Sequence, residues 1–191
     1  EAPVPIADVK NISHVPGGAG NVAANIAALG GIAYLVGIIG ADSSGEKLLR
    51  SLEKQKISTN FLVKDRNRPT ILKSRIIAAS QHLVRVDRED RTIVSTLIRQ
   101  KINRQLKELV PTVDAIIISD YEKGIVTEEI SRLLIKLAKK YKKPIAVDPK
   151  GVDYSKYRGA AVITPNLREA ALACRTIILN EKSLNKVGEI L

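Results

Sequence analysis

Four short apolar runs recur along the chain, each set beside a segment of helical period, and this alternation limits the fold more than any other feature. The runs are Ala33–Ile39, DAIIISD (Asp114–Asp120), PIAVDP (Pro144–Pro149) and AAVITP (Ala160–Pro165). None alternates polar and apolar residues; a strand covered on both faces reads as a continuous apolar run. The segments between them read as helices. Asn21–Leu29 ends at Gly30, a residue suited to the left-handed position after a helix. Gly45–Gln55 carries Leu48, Leu49 and Leu52 on one face, and Thr96–Leu109 is a second amphipathic helix. Thr127 caps a helix reaching about Tyr141, with Glu128 and Glu129 at its positive end. Strands alternating with helices predict an α/β fold: a doubly wound, mostly parallel sheet with helices on both faces. A chain of 191 residues is long enough for one such domain with a core.

Two stretches fall outside this pattern. Pro3–Ile12 and Thr70–Asp87 alternate polar and apolar residues, the second reading as two strands joined near Ala79 and Ser80. Neither carries a helix, so they predict a small antiparallel β-lid apart from the body. The division expected is residues 13–68 and 91–191 for the α/β core and residues 1–12 and 69–90 for the lid strands.

Composition narrows the classes of partner. The formal net charge is +11, which attracts anions such as phosphorylated metabolites or simply solvates helix faces. Aromatic residues are only 3%, poor material for base stacking, so nucleic acid is not the expected partner. No apolar run reaches the roughly 18 residues needed to span a bilayer, and Glu1–Lys10 lacks a signal-peptide pattern. The expectation is a cytoplasmic protein with no membrane partner. The one cysteine, Cys174 in AALAC, excludes an internal disulfide and reads as a buried structural thiol. His14 and His82 have no partner at metal-ligand spacing, and no nucleophile elbow is present.

In open parallel sheets, ligands bind beyond the carboxyl ends of the strands. Three successive apolar runs deliver functional groups to that edge: Asp120, Tyr121 and Lys123 after the second, Asp148 and Lys150 after the third, Asn166 and Glu169 after the fourth. The glycine-rich stretch HVPGGAGNVAANIAALGG (His14–Gly31) admits three readings. Gly18, Gly20 and Ala23 fit a dinucleotide fingerprint, but that pattern must follow a buried strand, and polar KNISHVP precedes it. The glycines could form a tight turn that lets the helix pack closely. Or Gly17 and Gly18 bare the main chain for a polar ligand, with the Asn21 amide aimed at its hydroxyls. Asn166 and Glu169 likewise read either as a helix cap, Asn at N-cap and Glu at N3, or as an anion-binding turn, and the two roles are compatible. Lys123 and Lys150 are phosphate ligands or solvated turn lysines. Arg85 and Asp87 share one strand face, either aimed into a pocket or forming an exposed charge pair.

These stretches resemble the ribokinase-like, phosphofructokinase B type (pfkB) sugar kinases. Gly17, Gly18, Asn21, Ala23, Gly30 and Gly40 fall at the spacing of that family's N-terminal signature. The ordered set EAPVP, PGGAGNVAANIAALG, PTILKSRIIAASQHLVRVD, SDYEKG, DPKG and YRGAAVITPNLREA is similar to the heptose-7-phosphate kinase branch. The resemblance implies a ribokinase-like fold and transfer of the ATP γ-phosphate to the anomeric hydroxyl of D-glycero-β-D-manno-heptose 7-phosphate, with ATP and Mg2+ as cofactors. It implies that Gly17, Gly18 and Asn21 hold sugar hydroxyls. Arg85 and Asp87 match the family's R-x-D on the lid, and Asp120 and Asp148 face the sugar. Lys123 and Lys150 are then the candidates for the sugar's own phosphate. Asn166, Leu167, Arg168 and Glu169 would serve the ATP phosphates, with Glu169 placing Mg2+. The lid would also make a homodimer contact. Two family features have no match: a strand-end Gly-Asp pair, expected before Glu1, and the Gly-Ala-Gly-Asp loop with the catalytic base, expected beyond Leu191. The chain contains no Met and reads as a piece of a longer protein, so no catalytic residue is assigned and little turnover is expected of it alone. The alternatives are another sugar or sugar-phosphate kinase of this fold, or a non-catalytic sugar or nucleotide sensor.

Overall fold

The computed structural model describes residues 6–78 and 81–191. Its elements in chain order are α1 (Ala19–Ala28), β1 (Gly37–Gly40), α2 (Ser43–Lys54), β2 (Leu62–Asp65), β3 (Leu72–Ala78), β4 (Gln81–Arg88), α3 (Thr96–Leu109), β5 (Ile116–Ser119), α4 (Glu128–Tyr141), β6 (Ile145–Asp148), β7 (Val162–Ile163), α5 (Leu167–Ala173) and α6 (Glu181–Ile190). β1 and β2 form a parallel pair, β5, β6 and β7 a parallel trio in that order, and β3 and β4 an antiparallel hairpin. The body is therefore the expected α/β arrangement, with its parallel strands in two groups and the hairpin standing apart.

Local chemistry sets the helix ends. The Asp42 carboxylate accepts from the Gly45 N–H at the start of α2, and the Thr127 hydroxyl accepts from Ile130 N–H at the start of α4. Gly30, at φ +88°, follows α1. The main core packs Ile102 and Leu106 of α3 and Ile130, Leu134 and Leu137 of α4 against Ile118, Val147 and Val63. A second cluster sets Ala23 of α1 against Leu35, Leu52 and Ile57. These two cores fix α1 and the β5–β6 edge as rigid supports.

Several expectations need correction. The run Ala33–Ile39 is a strand only from Gly37, preceded by a single parallel bridge between Tyr34 and Ser58. The partner segment turns at Asn60–Phe61 before β2 begins, so the ladder cannot run through residues 35 and 36. β2 and α6 (Glu181–Ile190) are present without having been expected, α6 opening on a capping box of Asn180 and Ser183. The strand expected over Pro3–Ile12 is absent from residues 6–12, where Ile6, Val9 and Ile12 are exposed; residues 3–5 lie outside the described residues. Among the described residues no neighbouring strand satisfies that backbone, and an extended segment without a ladder partner gains nothing by being regular. The expected joint at Ala79 and Ser80 also lies outside the described residues. Cys174 is half-buried, its Sγ donating to the Val187 carbonyl at 3.8 Å. Among the described residues, no helix is long and apolar enough to cross a membrane.

A lone two-stranded hairpin is marginal in water, and β4 is exposed along its length. Charged groups at its roots anchor it instead. Asp42 accepts from the Thr70 N–H (3.0 Å) and hydroxyl (2.7 Å) on the way into β3, and pairs with Arg88 (3.3 Å) at the end of β4. The buried Arg68 guanidinium donates to the Thr92 carbonyl at 2.8 Å. The N-cap of α2 thus also clasps both ends of the hairpin.

Candidate functional site

The carboxyl edge of β5 and β6 is built around Asp120. This residue is 3% exposed, and its carboxylate accepts from Tyr157 OH (2.6 Å), Lys156 Nζ (2.6 Å) and the Glu122 N–H (2.7 Å). Burial, reinforced by the bond to Asp120, pushes the Tyr157 hydroxyl pKa up, so it remains a donor. The oxygens expected to accept from a sugar are taken up internally; Asp120 is a staple under the site.

The bond from Glu122 N–H to Asp120 closes a tight turn in which Glu122 adopts φ +51°. That reversal places Tyr121 over the glycine loop. A Cβ added to Gly18, itself at φ +53°, would lie 3.5 Å from Tyr121 Cε2, whereas one added to Gly17 would meet nothing within 4 Å. Gly20 plays the other part: its Cβ would come 3.2 Å from Pro16 Cβ and 3.7 Å from Leu52 Cδ2, so it serves packing. The close-packing role therefore falls to Gly20, while the space beside Gly17 stays open. Residues 6–16 ahead of the loop form no strand, so the dinucleotide arrangement is not present. Asn21 sits in the first turn of α1 with its side chain exposed.

β6 delivers Asp148 and Lys150. Burial raises the Asp148 carboxyl pKa, and the nearby Glu169 and Asp120 carboxylates push it the same way against Lys150. Lys150 Nζ donates to Glu169 Oε1 at 2.7 Å. Glu169 Oε2 accepts from the Asn166 N–H, and Asn166 Oδ1 from the Glu169 N–H, each at 3.0 Å. The capping reading of this turn is thus realised. Leu167 and Arg168, between them, point outward and are exposed. An open cleft of about 330 Å³ lies beside this edge, lined by Glu122, Lys150, Asp153 and Lys156 among others. Among the described residues, no three or more His, Cys, Asp or Glu side chains gather as a metal cage.

The hairpin reaches the same edge through a chain of ion pairs. Arg85 and Asp87 share a face of β4 and bond at 2.9 Å. Asp87 also accepts from Lys73 of β3 at 2.7 Å, its partner in register. Lys73 in turn bonds Glu89 (3.1 Å), and Glu89 pairs with Lys123 after β5 (2.8 Å) and with Arg91 (2.7 Å). The structure thus joins Arg85, Asp87 and Lys123 through Lys73 and Glu89, and joins Asp148, Lys150 and Glu169 around the end of β6. Lys73, Glu89, Arg91, Lys156 and Tyr157 escaped sequence reasoning. Only the polar-apolar alternation of β3 and β4 hinted at the first of these.

The cations Lys123, Arg91 and Lys73, in that order, lower the Glu89 carboxyl pKa to about 2 from an ordinary value of 4.5. A depressed carboxyl stabilises the folded state above its unfolded pKa, and that contribution fades as pH falls from about 4.5 toward 2. The hairpin roots are therefore expected to open in that window. Amide hydrogen exchange of Leu72–Ala78 between pH 5 and 2.5 checks this, with a smaller pH-dependent step in Glu89→Gln, because Asp42, Asp87 and Asp90 at the same roots are also held below the usual carboxylate range.

A family model described as pfkB family carbohydrate kinase matches residues 2–190. The chain is 42% identical over 188 residues to the bifunctional protein HldE of Helicobacter hepaticus, covering 98% of this chain and 39% of that protein. It is 40% identical over 191 residues to the HldE of Wolinella succinogenes, covering 100% of this chain and 40% of that one. The chain thus spans about two fifths of the length of these relatives. Among solved structures, phosphofructokinase-2 from Escherichia coli in complex with potassium superposes with a TM-score of 0.73 at 20% identity, covering 97% of this chain and 61% of that one. Arabidopsis thaliana ribokinase complexed with ribose and ATP gives 0.65 at 18% identity, covering 89% and 55%. These structures share the fold.

Proposed function

Because this chain belongs to the pfkB family of carbohydrate kinases, we propose that it supplies the acceptor side of an ATP- and Mg2+-dependent kinase. The acceptor is D-glycero-β-D-manno-heptose 7-phosphate and the product its 1,7-bisphosphate, on the route to ADP-heptose and lipopolysaccharide. One observation carries the reading. Tyr121 lies against Gly18 with open space beside Gly17, and the same loop presents Lys123 to the hairpin charges.

Phosphoryl transfer depends mainly on positioning and charge stabilisation. In this reading Gly17, Gly18 and Asn21 meet sugar hydroxyls along one side, with Tyr121 as the apolar wall. Asp148, whose carboxylate is half-buried on the same edge as Lys150, accepts from a hydroxyl. Arg85 and Asp87 close over the sugar from the hairpin, which also meets its counterpart in a homodimer. Lys123 and Lys150 supply positive charge toward the acceptor's phosphate. The turn Asn166–Glu169 offers Arg168 and the N–H groups of Leu167 and Arg168 to the ATP phosphates.

Mg2+ is held by one or two carboxylates, waters and nucleotide phosphates more often than by a protein cage. The residues present fit that mode: Glu169 would hold the ion through its remaining lone pairs, while Lys150 and the Asn166 N–H keep it oriented. The ion's contribution there is to neutralise charge on the phosphates.

The test is turnover of the intact gene product with ATP on heptose 7-phosphate, fructose 6-phosphate and ribose. A kcat/KM for heptose 7-phosphate at least about 100-fold above the others is expected, since a site built for polar groups rejects analogues lacking them. Equal values would remove the heptose assignment. Turnover of another sugar phosphate alone would instead favour a different pfkB-type kinase, and sedimentation as a monomer would remove the dimer.

A further inference from the structure

We propose that Glu89 is a built-in occupant of a phosphate seat: its carboxylate fills a cradle of Lys73, Arg91 and Lys123 that receives the phosphate of a phosphorylated acceptor, and the two anions compete. This deepens the kinase reading above and rests on it.

The cradle is unlike an ordinary surface ion pair, which is exposed and pairwise. Its cations come from three places in the chain: β3, the segment after β4 and the loop after β5. Arg91 holds Glu89 Oε1 through both Nε (2.8 Å) and its terminal nitrogen (2.7 Å). Lys73 (3.1 Å) and Lys123 (2.8 Å) hold Oε2. Two carboxylate oxygens thus serve four donors, where the three oxygens of a phosphate would divide them better. The floor of the seat is recessed, with the Glu89 and Lys123 side chains 12% and 13% exposed, while Arg91 at its rim is 73% exposed.

The charge balance points the same way. Among the described residues, Lys73, Arg85, Arg91 and Lys123 pair with Asp87 and Glu89, four cations against two carboxylates, leaving the cluster at +2. A phosphomonoester carries about −1.5 to −2 at neutral pH. The adjoining charges are already paired, Arg68 with Asp90 and Arg88 with Asp42. Lys123 also stands two residues from Tyr121, a separation of at most about 7 Å along the chain. One loop thus carries both Tyr121, which covers Gly18, and Lys123, which holds the seat. Because its three cations keep Glu89 ionised through the physiological range, it competes as an anion and does not leave by protonation.

Inorganic phosphate is the probe, titrated into the protein at low ionic strength and followed by calorimetry and by amide shifts at residues 73, 91 and 123. Glu89→Gln is expected to bind phosphate roughly tenfold more tightly than the wild type, because a competing charge is gone while the donors remain. Arg91→Ala, at an exposed side chain, is expected to bind at least about threefold more weakly. Unchanged or weaker binding by a folded Glu89→Gln overturns the proposal, as does unchanged binding by Arg91→Ala. Both readouts are independent of turnover. A wild type that phosphorylates no sugar would defeat the kinase reading while leaving the phosphate result to stand or fall alone.

Discussion

Asp120→Ala is expected to lower the unfolding free energy by about 3–5 kcal/mol, the usual cost of removing one member of a buried ion pair. The Asp120 side chain is 1% exposed and Lys156 only 20%, so the truncation strands an ammonium beneath the sheet edge. Lys156 would keep the Val126 carbonyl at 3.4 Å and the face of the Tyr157 ring at 4.9 Å. The Tyr157 hydroxyl, 2.6 Å from the lost carboxylate and set in a buried residue, would be left without a partner. Tyr157→Phe provides the contrast: it takes one donor from a carboxylate that keeps two others, and about 1 kcal/mol is expected. Urea titration of the three proteins checks the pair. A loss below about 1 kcal/mol for Asp120→Ala would mean that the carboxylate is not the staple described. The variant also releases the Glu122 N–H, the bond that turns Tyr121 over Gly18. Chemical-shift changes are therefore expected at Gly17 and Gly18, far away in sequence.

Gly124→Ala is the second large effect, expected at about 2–5 kcal/mol. Gly124 adopts φ +78°, where a side chain is strained whatever the space around it. There is also no space. A Cβ there would overlap the Thr92 carbonyl oxygen and come 2.6 Å from the Thr92 carbonyl carbon and 3.1 Å from Ile93 Cα, all main-chain atoms that no rotamer change can clear. The Gly124 carbonyl accepts from the Val94 N–H at 3.1 Å, and Thr92 also receives the buried Arg68 guanidinium. The loop after β5 is in this way sewn to the segment leaving the hairpin. Pushing the two apart should separate Lys123 from Glu89. Besides a lower urea midpoint, Gly124→Ala should raise KM for a phosphorylated acceptor in the intact gene product while leaving KM for ATP near its wild-type value. A variant with unchanged midpoint would refute the close approach.

Much of the body was legible from local pattern. Thr96–Leu109 and the Thr127-capped helix ending at Tyr141 lie where their periods and caps put them. The shared face of Arg85 and Asp87 and the reciprocal cap of Asn166 and Glu169 also follow from spacing alone. Contacts within two to four residues decide each of these, so a short window of sequence contains the necessary information. The extended stretch 6–12 failed for the opposite reason: a strand exists only if another segment lies beside it. Ala33–Val36 failed likewise, because its partner turns away at Asn60. Lys123 and Lys150 read as free cations in sequence, and each proved to be held by a glutamate far along the chain.

By itself, the sequence determined that strands and helices alternate, where α3 and α4 begin and end, and that the polar residues after the second, third and fourth apolar runs arrive at one sheet edge. Only the tertiary structure decided what those residues touch. It turned Asp120 inward onto Lys156 and Tyr157, laid Tyr121 over Gly18 and brought the distant Lys73 and Lys123 to join Arg91 on Glu89. The physical reason is range: helical period and capping are settled between near neighbours, whereas a charge takes its partner from whichever loop the fold brings within hydrogen-bonding distance.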